Sequence, residues 1–462
     1  MRAARTARLA VLLAGVAALA PGGRAGAGPA PACPECLRAG AASVALRVPA
    51  GTPLGGYGAL ARRLLVPDVL GRHPHAFWFK PAAGARDAPR ARAVVLELPS
   101  RRLVWVSVDL VAVDRDFTHE VARRLSRSAA RPATLILSAS HTHSGPGAFI
   151  GSRLMGWLAL DRFDAEVRDA LVEGVAAAVR QADVAARPAL VGAAAVTAPP
   201  LTRGRLGREL DPEIVVVKLT TPDGAPIALL WNYAIHGTAL GPKNLRLSGD
   251  VMGVASAELE RRFGAPVLFV NGAVGDVSPA GHGEAAAARI GRALADAVQA
   301  GWERARAAPA ASIEIARRRV ALPSPWLSLR NCTGRWMPRF VTAPLGSAFP
   351  ADADLTAVAL GDVAWITVPG ELQAALGLAI KREGRDLFAQ TFIAGLSNDY
   401  LGYFVAPADY DRPAYVTCAT LYGPKAGECL ASTAAELLYQ LRGRDRPLTR
   451  LPGPCDFTPN AR

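Results

Sequence analysis

The sequence predicts an α/β protein whose core is a mixed β-sheet flanked by helices. Short apolar runs rich in branched residues, such as 103–110, have the length and composition of buried strands. Longer segments at 163–182 and 285–307 place apolar residues at helical spacing and lie between these runs. The runs at 213–220 and 226–236 follow each other directly, which favours a hairpin and therefore a mixed sheet over a purely parallel one. No internal sequence repeat is evident.

The first residues resemble a secretory signal. Arg2, Arg5 and Arg8 precede an apolar run at 9–20, and small residues at 25–27 offer a cleavage site. The run is shorter than the roughly 20 residues that a membrane-spanning helix needs, although an uncleaved anchor is the alternative. We therefore predict a signal peptide at 1–27, a Pro/Ala-rich leader at 28–44 and an exported protein, either periplasmic or secreted.

Several predicted strands end at side chains that can bind a metal. Functional groups gather at the carboxyl ends of strands in α/β sheets, and zinc accepts imidazole and carboxylate ligands. Alternation along the first strand would place its two histidines on the same side, and a Gly/Pro turn follows them. The residues that follow four such runs are His141 and His143 after 133–137, His236 after 227–235, Glu371 after 363–368 and Tyr400 after 391–394.

An ordered series of motifs carries a family resemblance. SASHTHSGPG, NYAIHGTAL, LSGD, GAVGDVSP, VPGE, GLSNDYLGY and TLYGP occur in this order between about residues 45 and 425. The series resembles the neutral/alkaline (non-lysosomal) ceramidase family, whose members are zinc-dependent amidases that cleave ceramide into sphingosine and fatty acid. Each motif alone is weak, whereas the ordered set is specific.

The resemblance implies a set of site residues. It places the family's zinc ligands at His141, His236, Glu371 and Tyr400, with one Zn²⁺ per chain. It also implies that four further residues contribute to catalysis: His143, Arg203, Tyr410 and Ser278. Arg203 lies near the position of the family's Asn-Arg-Ser element, and Ser278 matches a serine proposed as a nucleophile.

Two of these assignments have alternatives in the residues themselves. Without the resemblance, Glu371 is equally suited to act as a general base, and it could also cap the helix that follows it. Ser278 lacks a Gly-x-Ser-x-Gly turn, so it could shape the pocket instead of attacking the substrate. Asp250 and Asp276 could orient the ligating histidines, or could lie on the surface.

The chain also departs from the family pattern. Ala280 stands where the family usually has Asn, and Val251 and Met252 replace an Asn-Lys pair after Ser-Gly-Asp. We expect residues 45–462 to form the catalytic domain, without the C-terminal immunoglobulin-like domain of full-length members. The predicted reaction is zinc-dependent hydrolysis of ceramide. The alternatives are a zinc hydrolase of the same fold acting on another lipid amide or ester, or a non-catalytic lipid-binding relative.

Charge and cysteines bear on the environment of the protein. The formal net charge is +14, mostly from arginine. This reflects either the base composition of the genome or peripheral contact with a membrane surface. The arginines are dispersed without an aromatic platform, which argues against nucleic-acid binding. Six cysteines in an exported chain are compatible with disulfides, with Cys418 and Cys429 as a reasonable pair, and Cys33 and Cys36 form a CxxC motif in the leader.

Overall fold

The computed structural model of the protein describes residues 36–127, 133–310, 312–447 and 455. The strands are β1 (Arg38–Ala45), β2 (Arg90–Leu98), β3 (Arg101–Val108), β4 (Thr134–Ala139), β5 (Arg187–Pro188), β6 (Leu190–Thr197), β7 (Thr202–Gly204), β8 (Glu213–Thr220), β9 (Pro226–Tyr233), β10 (Val267–Asn271), β11 (Val277–Pro279), β12 (Ile313–Ala321), β13 (Trp326–Ser328), β14 (Thr342–Pro344), β15 (Asp352–Leu360), β16 (Val363–Val368), β17 (Glu371–Leu372), β18 (Gln390–Gly395) and β19 (Tyr403–Phe404). The helices are α1 (Arg115–Arg127), α2 (Arg153–Met155), α3 (Ala165–Val184), α4 (Asp250–Phe263), α5 (Glu284–Arg304), α6 (Leu329–Thr333), α7 (Ala374–Gly384), α8 (Pro407–Tyr410), α9 (Tyr415–Cys418) and α10 (Ala426–Leu441), with a π-helical turn at Gly156–Leu160 and a 3-10 turn at Gly346–Ala348.

Three sheets share one strand order. They run β4-β3-β2-β1, with β5 added at the edge, then β10-β9-β8-β6, and β12-β15-β16-β18. In each sheet three consecutive strands are antiparallel and the fourth pairs in parallel with the third. The prediction of a mixed α/β fold is therefore confirmed.

Helices complete three equivalent modules. A parallel pair needs a crossover connection, which α1, α4 and α7 supply in the three sheets. A long helix follows the parallel strand in each case, namely α3, α5 and α10. Each pair of helices packs on the outer face of its own sheet in a separate apolar cluster. The chain thus repeats one topology three times, although no repeat is evident in the sequence.

The inner faces of the three sheets share one apolar core. Aligning the modules by the last residue pair of each parallel ladder puts Trp105, Leu230 and Trp365 at the same position. All three side chains are buried in this core, and the rings of Trp105 and Trp365 stack with centroids 4.7 Å apart. Large rings from two modules therefore fill the space where the sheets meet.

The boundary predicted for the leader does not hold. Residues 38–45 form β1, which pairs with β2 along its whole length, from Arg38 opposite Glu97 to Ala45 opposite Arg90. Small residues are needed here because α3 crosses closely: a Cβ on Gly40 would lie 2.1 Å from the carbonyl oxygen of Ala182. The composition that indicated a leader instead permits close packing. The predicted signal peptide at 1–27 lies outside the described residues.

The disulfides correct the predicted cysteine pairing. Cys332 bonds to Cys418, joining α6 to α9, and Cys429 of α10 bonds to Cys455. The prediction of a bond between Cys418 and Cys429 is wrong, because proximity along the chain does not bring their helices together. Cys33 of the CxxC motif lies outside the described residues. Among those residues, no helix combines the length and the hydrophobicity that a bilayer crossing requires.

Candidate metal centre and active site

Two buried imidazoles are oriented by backbone carbonyl groups. The Nδ1 atoms of His141 and His236 lie 2.6 Å from the oxygen of Val111 and 2.8 Å from the oxygen of Val277, respectively. A carbonyl oxygen can only accept, so each Nδ1 carries the hydrogen and each Nε2 of the neutral ring presents a lone pair. This arrangement is typical of ligating histidines, whose second nitrogen is held by the surrounding protein.

A buried carboxylate meets both lone pairs. The Oε2 atom of Glu371 lies 2.9 Å from His236 Nε2 and 3.3 Å from His141 Nε2. The hydroxyl of Tyr400 donates to the other oxygen, Oε1, at 2.7 Å. Three acceptor atoms thus face one another inside the protein, an arrangement that a cation stabilises. The side chains present fit a zinc ion, which binds neutral imidazole and ionised carboxylate.

The protonation tendencies agree with this chemistry. Burial, together with the nearby Arg205 guanidinium, lowers the pKa of His236 to about 3. Burial alone would raise the pKa of Glu371, but His141 and His236 outweigh it and hold that pKa well below its usual value. Burial, reinforced by Glu371, raises the pKa of Tyr400 well above its ordinary value. A neutral imidazole and an ionised carboxylate are the forms that bind metal.

His143 lies beside this cluster. Its Nε2 is 3.5 Å from His141 Nε2, and its ring centroid is 4.8 Å from that of Tyr57. Burial, followed by the two neighbouring imidazoles, lowers the pKa of His143 well below its usual value. Its Nδ1 is buried and has no hydrogen-bond partner among the described residues. The ring nitrogens of His141, His143 and His236 all lie within 4.8 Å of one another, so His143 is close enough to be a third ligand or a proton acceptor next to the metal.

The three modules bring these residues together. The last paired residues of the third strands are Val108, Tyr233 and Val368. Three residues further along the chain lie Val111, His236 and Glu371, respectively. Val111 supplies the carbonyl that orients His141, and His236 and Glu371 are two of the predicted ligands. His141 itself follows β4 with a φ of 67°.

A glycine allows the two histidine loops to touch. His143 donates its backbone N–H to the oxygen of Gly237 at 2.9 Å, and Gly237 donates to the oxygen of His141 at 3.2 Å. A Cβ on Gly237 would lie 2.6 Å from the His141 oxygen and from the Cα of Thr142. Only glycine therefore permits this approach.

Arg205, not Arg203, reaches the site. Arg203 is exposed on β7 and its Nη2 lies 3.0 Å from Nε2 of His282. Arg205 follows the end of β7 and donates from Nη1 to the hydroxyl of Tyr403 at 3.2 Å; that hydroxyl is 3.4 Å from His236 Nε2. The resemblance placed Arg203 near the family's Asn-Arg-Ser element, two residues before the arginine that reaches the site. Tyr403 was missed, although it lies in the GLSNDYLGY motif.

Two other predicted residues occupy supporting positions. The Ser278 hydroxyl lies on β11 and accepts a hydrogen bond from Arg205 Nε at 2.8 Å. Tyr410 packs in a small apolar cluster with Tyr403, and its buried hydroxyl has no partner among the described residues. Asp276 accepts from the backbone N–H of Ala374 at 2.9 Å, so it positions the chain just after Glu371.

Comparison with known proteins bears on what this cluster is. Residues 76–291 match the family model described as neutral/alkaline non-lysosomal ceramidase, N-terminal. The predicted resemblance to this family is therefore confirmed. The match covers His141, His143, His236 and Ser278, whereas Glu371 lies beyond it and reaches the same cluster through the third module.

Individual ceramidases resemble the chain in sequence and in fold. The neutral ceramidase of Mycobacterium tuberculosis is 27% identical over 204 residues, or 39% of this chain and 32% of that protein. That of Pseudomonas aeruginosa is 27% identical over 221 residues, or 43% of this chain and 32% of that protein. The crystal structure of the Pseudomonas aeruginosa neutral ceramidase superposes with a TM-score of 0.75 at 18% identity, over 91% of this chain and 76% of that one. The chain therefore aligns with about a third of the length of these curated relatives.

A groove adjoins the cluster at Tyr400. It has a volume of about 1030 Å³, and Tyr400 is one of its lining residues. Its lining includes the apolar side chains of Leu154, Met155, Leu345 and Phe349, and also the charged side chains of Asp114, Arg115, Arg153 and Asp399. The groove next to Tyr400 therefore has both apolar and charged surfaces.

Proposed function

We propose that this chain is a zinc-dependent amidohydrolase that cleaves the N-acyl bond of ceramide, giving sphingosine and a fatty acid. The observation that carries the proposal is the convergence of His141 Nε2 and His236 Nε2 on Glu371 Oε2, at 3.3 and 2.9 Å. Tyr400 would complete the ligand set through its hydroxyl. The match to the ceramidase family model and the shared fold support the assignment.

When bound, a zinc ion would supply Lewis-acid polarisation of the amide carbonyl and a water of lowered pKa. The protein would supply orientation, because the Val111 and Val277 carbonyls fix both imidazoles. These contacts hold the ring nitrogens in one tautomer, so little rearrangement is needed on metal binding.

Proton transfer would involve His143. Its ring is neutral because burial lowers its pKa, and Nδ1 has no protein partner among the described residues. A neutral imidazole beside the metal can accept a proton from water and return it to the leaving nitrogen. Arg205 and Tyr403 provide hydrogen-bond donors next to His236, where they would stabilise negative charge on the amide oxygen. Ser278 would hold the guanidinium of Arg205 and would not attack the substrate.

The groove supports a lipid substrate. Its apolar side chains at Leu154, Met155 and Phe349 would contact a hydrocarbon chain while the amide lies at Tyr400. Another lipid amide or an ester with a similar chain is the second candidate, because apolar walls discriminate weakly between chains of similar size. Export to the periplasm or medium, inferred from residues 1–27, remains part of this proposal.

Fatty-acid release from a panel of substrates tests the function. The purified chain is assayed on ceramides of short and long acyl chain, N-acyl amino acids and simple esters, each with and without a chelator. We expect ceramide hydrolysis that the chelator abolishes and added zinc restores. His141→Ala should be inactive, whereas His119→Ala, an exposed histidine on α1, should keep wild-type activity. Chelator-sensitive turnover of esters or N-acyl amino acids without any ceramide turnover would overturn the ceramidase assignment.

A further inference from the structure

Large apolar side chains are exposed in a few neighbouring segments. Leu65 is fully exposed and Leu70 is 76% exposed in the segment 57–79, and Trp336 and Phe340 are 74% and 84% exposed in the loop between α6 and β14. We call the whole set the apolar rim. It comprises Leu60, Leu65, Val66, Val69, Leu70, Trp157, Leu158, Trp336, Phe340 and Tyr415.

The exposed leucines belong to an ordered segment. The buried carboxylate of Asp161 accepts the backbone N–H groups of Phe77, Trp78 and Phe79 at 2.8 to 3.0 Å. The Arg63 guanidinium donates to the carbonyl oxygen of Trp157 at 2.5 Å. These bonds tie the segment to the π-helical turn, so its apolar side chains are held toward solvent by the fold.

Two segments of the apolar rim adjoin the candidate site. Tyr57, where the first segment begins, lies against His143. In a second segment, the ring of Tyr415 is 5.7 Å from that of Tyr403, whose hydroxyl lies 3.4 Å from His236 Nε2. These two ring contacts connect the exposed segments directly to the catalytic cluster.

The same segments border the groove. Leu154 and Met155 line it, and the chain continues from them into the turn that carries Trp157 and Leu158. Leu345 also lines it and follows β14, the short strand after the loop that carries Trp336 and Phe340. The groove therefore lies between two segments that expose large apolar side chains.

The charge near the rim is basic. Residues 324–350 include Arg330, Arg335 and Arg339 and contain no acidic residue. Arg339 pairs with Asp411, whose side chain is half exposed. Arginines interspersed with exposed Trp and Phe are typical of surfaces that bind anionic lipid bilayers, because the rings enter the interface while the cations contact the head groups.

We propose that the apolar rim docks the protein on an anionic lipid bilayer and places the groove against the membrane. This inference rests on the proposed function, since a lipid amide held in a bilayer has to enter the groove from the membrane surface. The rim residues contact lipid and take no part in the chemical step.

Vesicle binding tests the proposal. The full chain is sedimented with phosphatidylcholine vesicles prepared with and without phosphatidylglycerol. We expect binding that needs phosphatidylglycerol and weakens with added salt. The double variants Leu65→Ser/Leu70→Ser and Trp336→Ser/Phe340→Ser should each bind about tenfold more weakly, because burial of one leucine side chain alone is worth a comparable factor. Val184→Ser is the matched control, since Val184 is 91% exposed at the end of α3 and outside the rim.

Two comparisons separate this proposal from the proposed function. His141→Ala should lose hydrolysis but bind vesicles like wild type. The rim variants should hydrolyse short-chain ceramide in detergent micelles normally and hydrolyse vesicle-embedded ceramide more slowly. Three outcomes would overturn the docking proposal. Both double variants could bind vesicles like wild type, or Val184→Ser could lose as much binding as they do. The third is a dimer that depends on the rim residues in a protein that does not bind vesicles. Absent hydrolysis with rim-dependent binding would overturn the proposed function alone.

Discussion

At the scale of single residues, the site depends on which atom each side chain presents. The Nδ1 atoms of His141 and His236 are committed to backbone carbonyls, so the Nε2 lone pairs point at Glu371. His143 has no such carbonyl contact among the described residues, and its Nδ1 is unpartnered. This difference favours a catalytic role for His143 over a structural ligand role.

Replacement of His143 by alanine tests that division. We expect His143→Ala to retain its metal and lose about 10²-fold or more in turnover, the usual scale for a proton-transfer group. Metal content and kcat are measured on the same preparation. Loss of the metal together with activity would make His143 a ligand.

The two neighbouring arginines provide a matched pair. Arg205→Ala should lower kcat by about 10²-fold, because removal of one donor to a developing oxyanion typically costs this much. Arg203→Ala should have little effect, since Arg203 is exposed and contacts His282. Steady-state kinetics on micellar ceramide compare the two. A larger loss in Arg203→Ala would return the role to the residue that the sequence indicated.

At the scale of elements, polar contacts join the first two modules. Arg92 on β2 is buried and donates to Asp109 at 3.0 Å and to Glu260 on α4 at 2.8 Å. Arg92→Met would leave the Asp109 carboxylate buried without its cation, so we expect unfolding to become easier by about 3–5 kcal/mol. Denaturant unfolding measures the change. Arg261→Met is the control, because the pair it forms with Glu258 lies at the surface; a similar loss there would contradict the account.

Element positions were predictable where pattern and length agreed. The periodic segments 163–182 and 285–307 correspond to α3 and α5 with ends within three residues. β1 was missed because alanine and glycine are weak indicators of a strand, and the need for small residues arises only from the approach of α3. The cysteine pairing was missed because it depends on how α6, α9 and α10 pack.

At the scale of the whole molecule, three modules of one topology converge on one centre. The sequence predicted the candidate ligands because each lies in a compact motif at a strand end. It could not predict the threefold repetition, since the modules share strand order and apolar positions while their residues differ, as Trp105, Leu230 and Trp365 illustrate. The role of Arg205 could not be predicted from the sequence either. Choosing between Arg203 and Arg205 requires knowing how β7 pairs with β11.

Metal content tests the central claim most directly. The purified chain is dialysed against metal-free buffer and its zinc is measured by elemental analysis, together with His236→Ala and the exposed-histidine control His119→Ala. We predict about one zinc per chain in wild type and in His119→Ala, and little or none in His236→Ala, because a site that loses one of few ligands loses both affinity and geometry. Wild-type protein without zinc, or full occupancy in His236→Ala, would contradict the account.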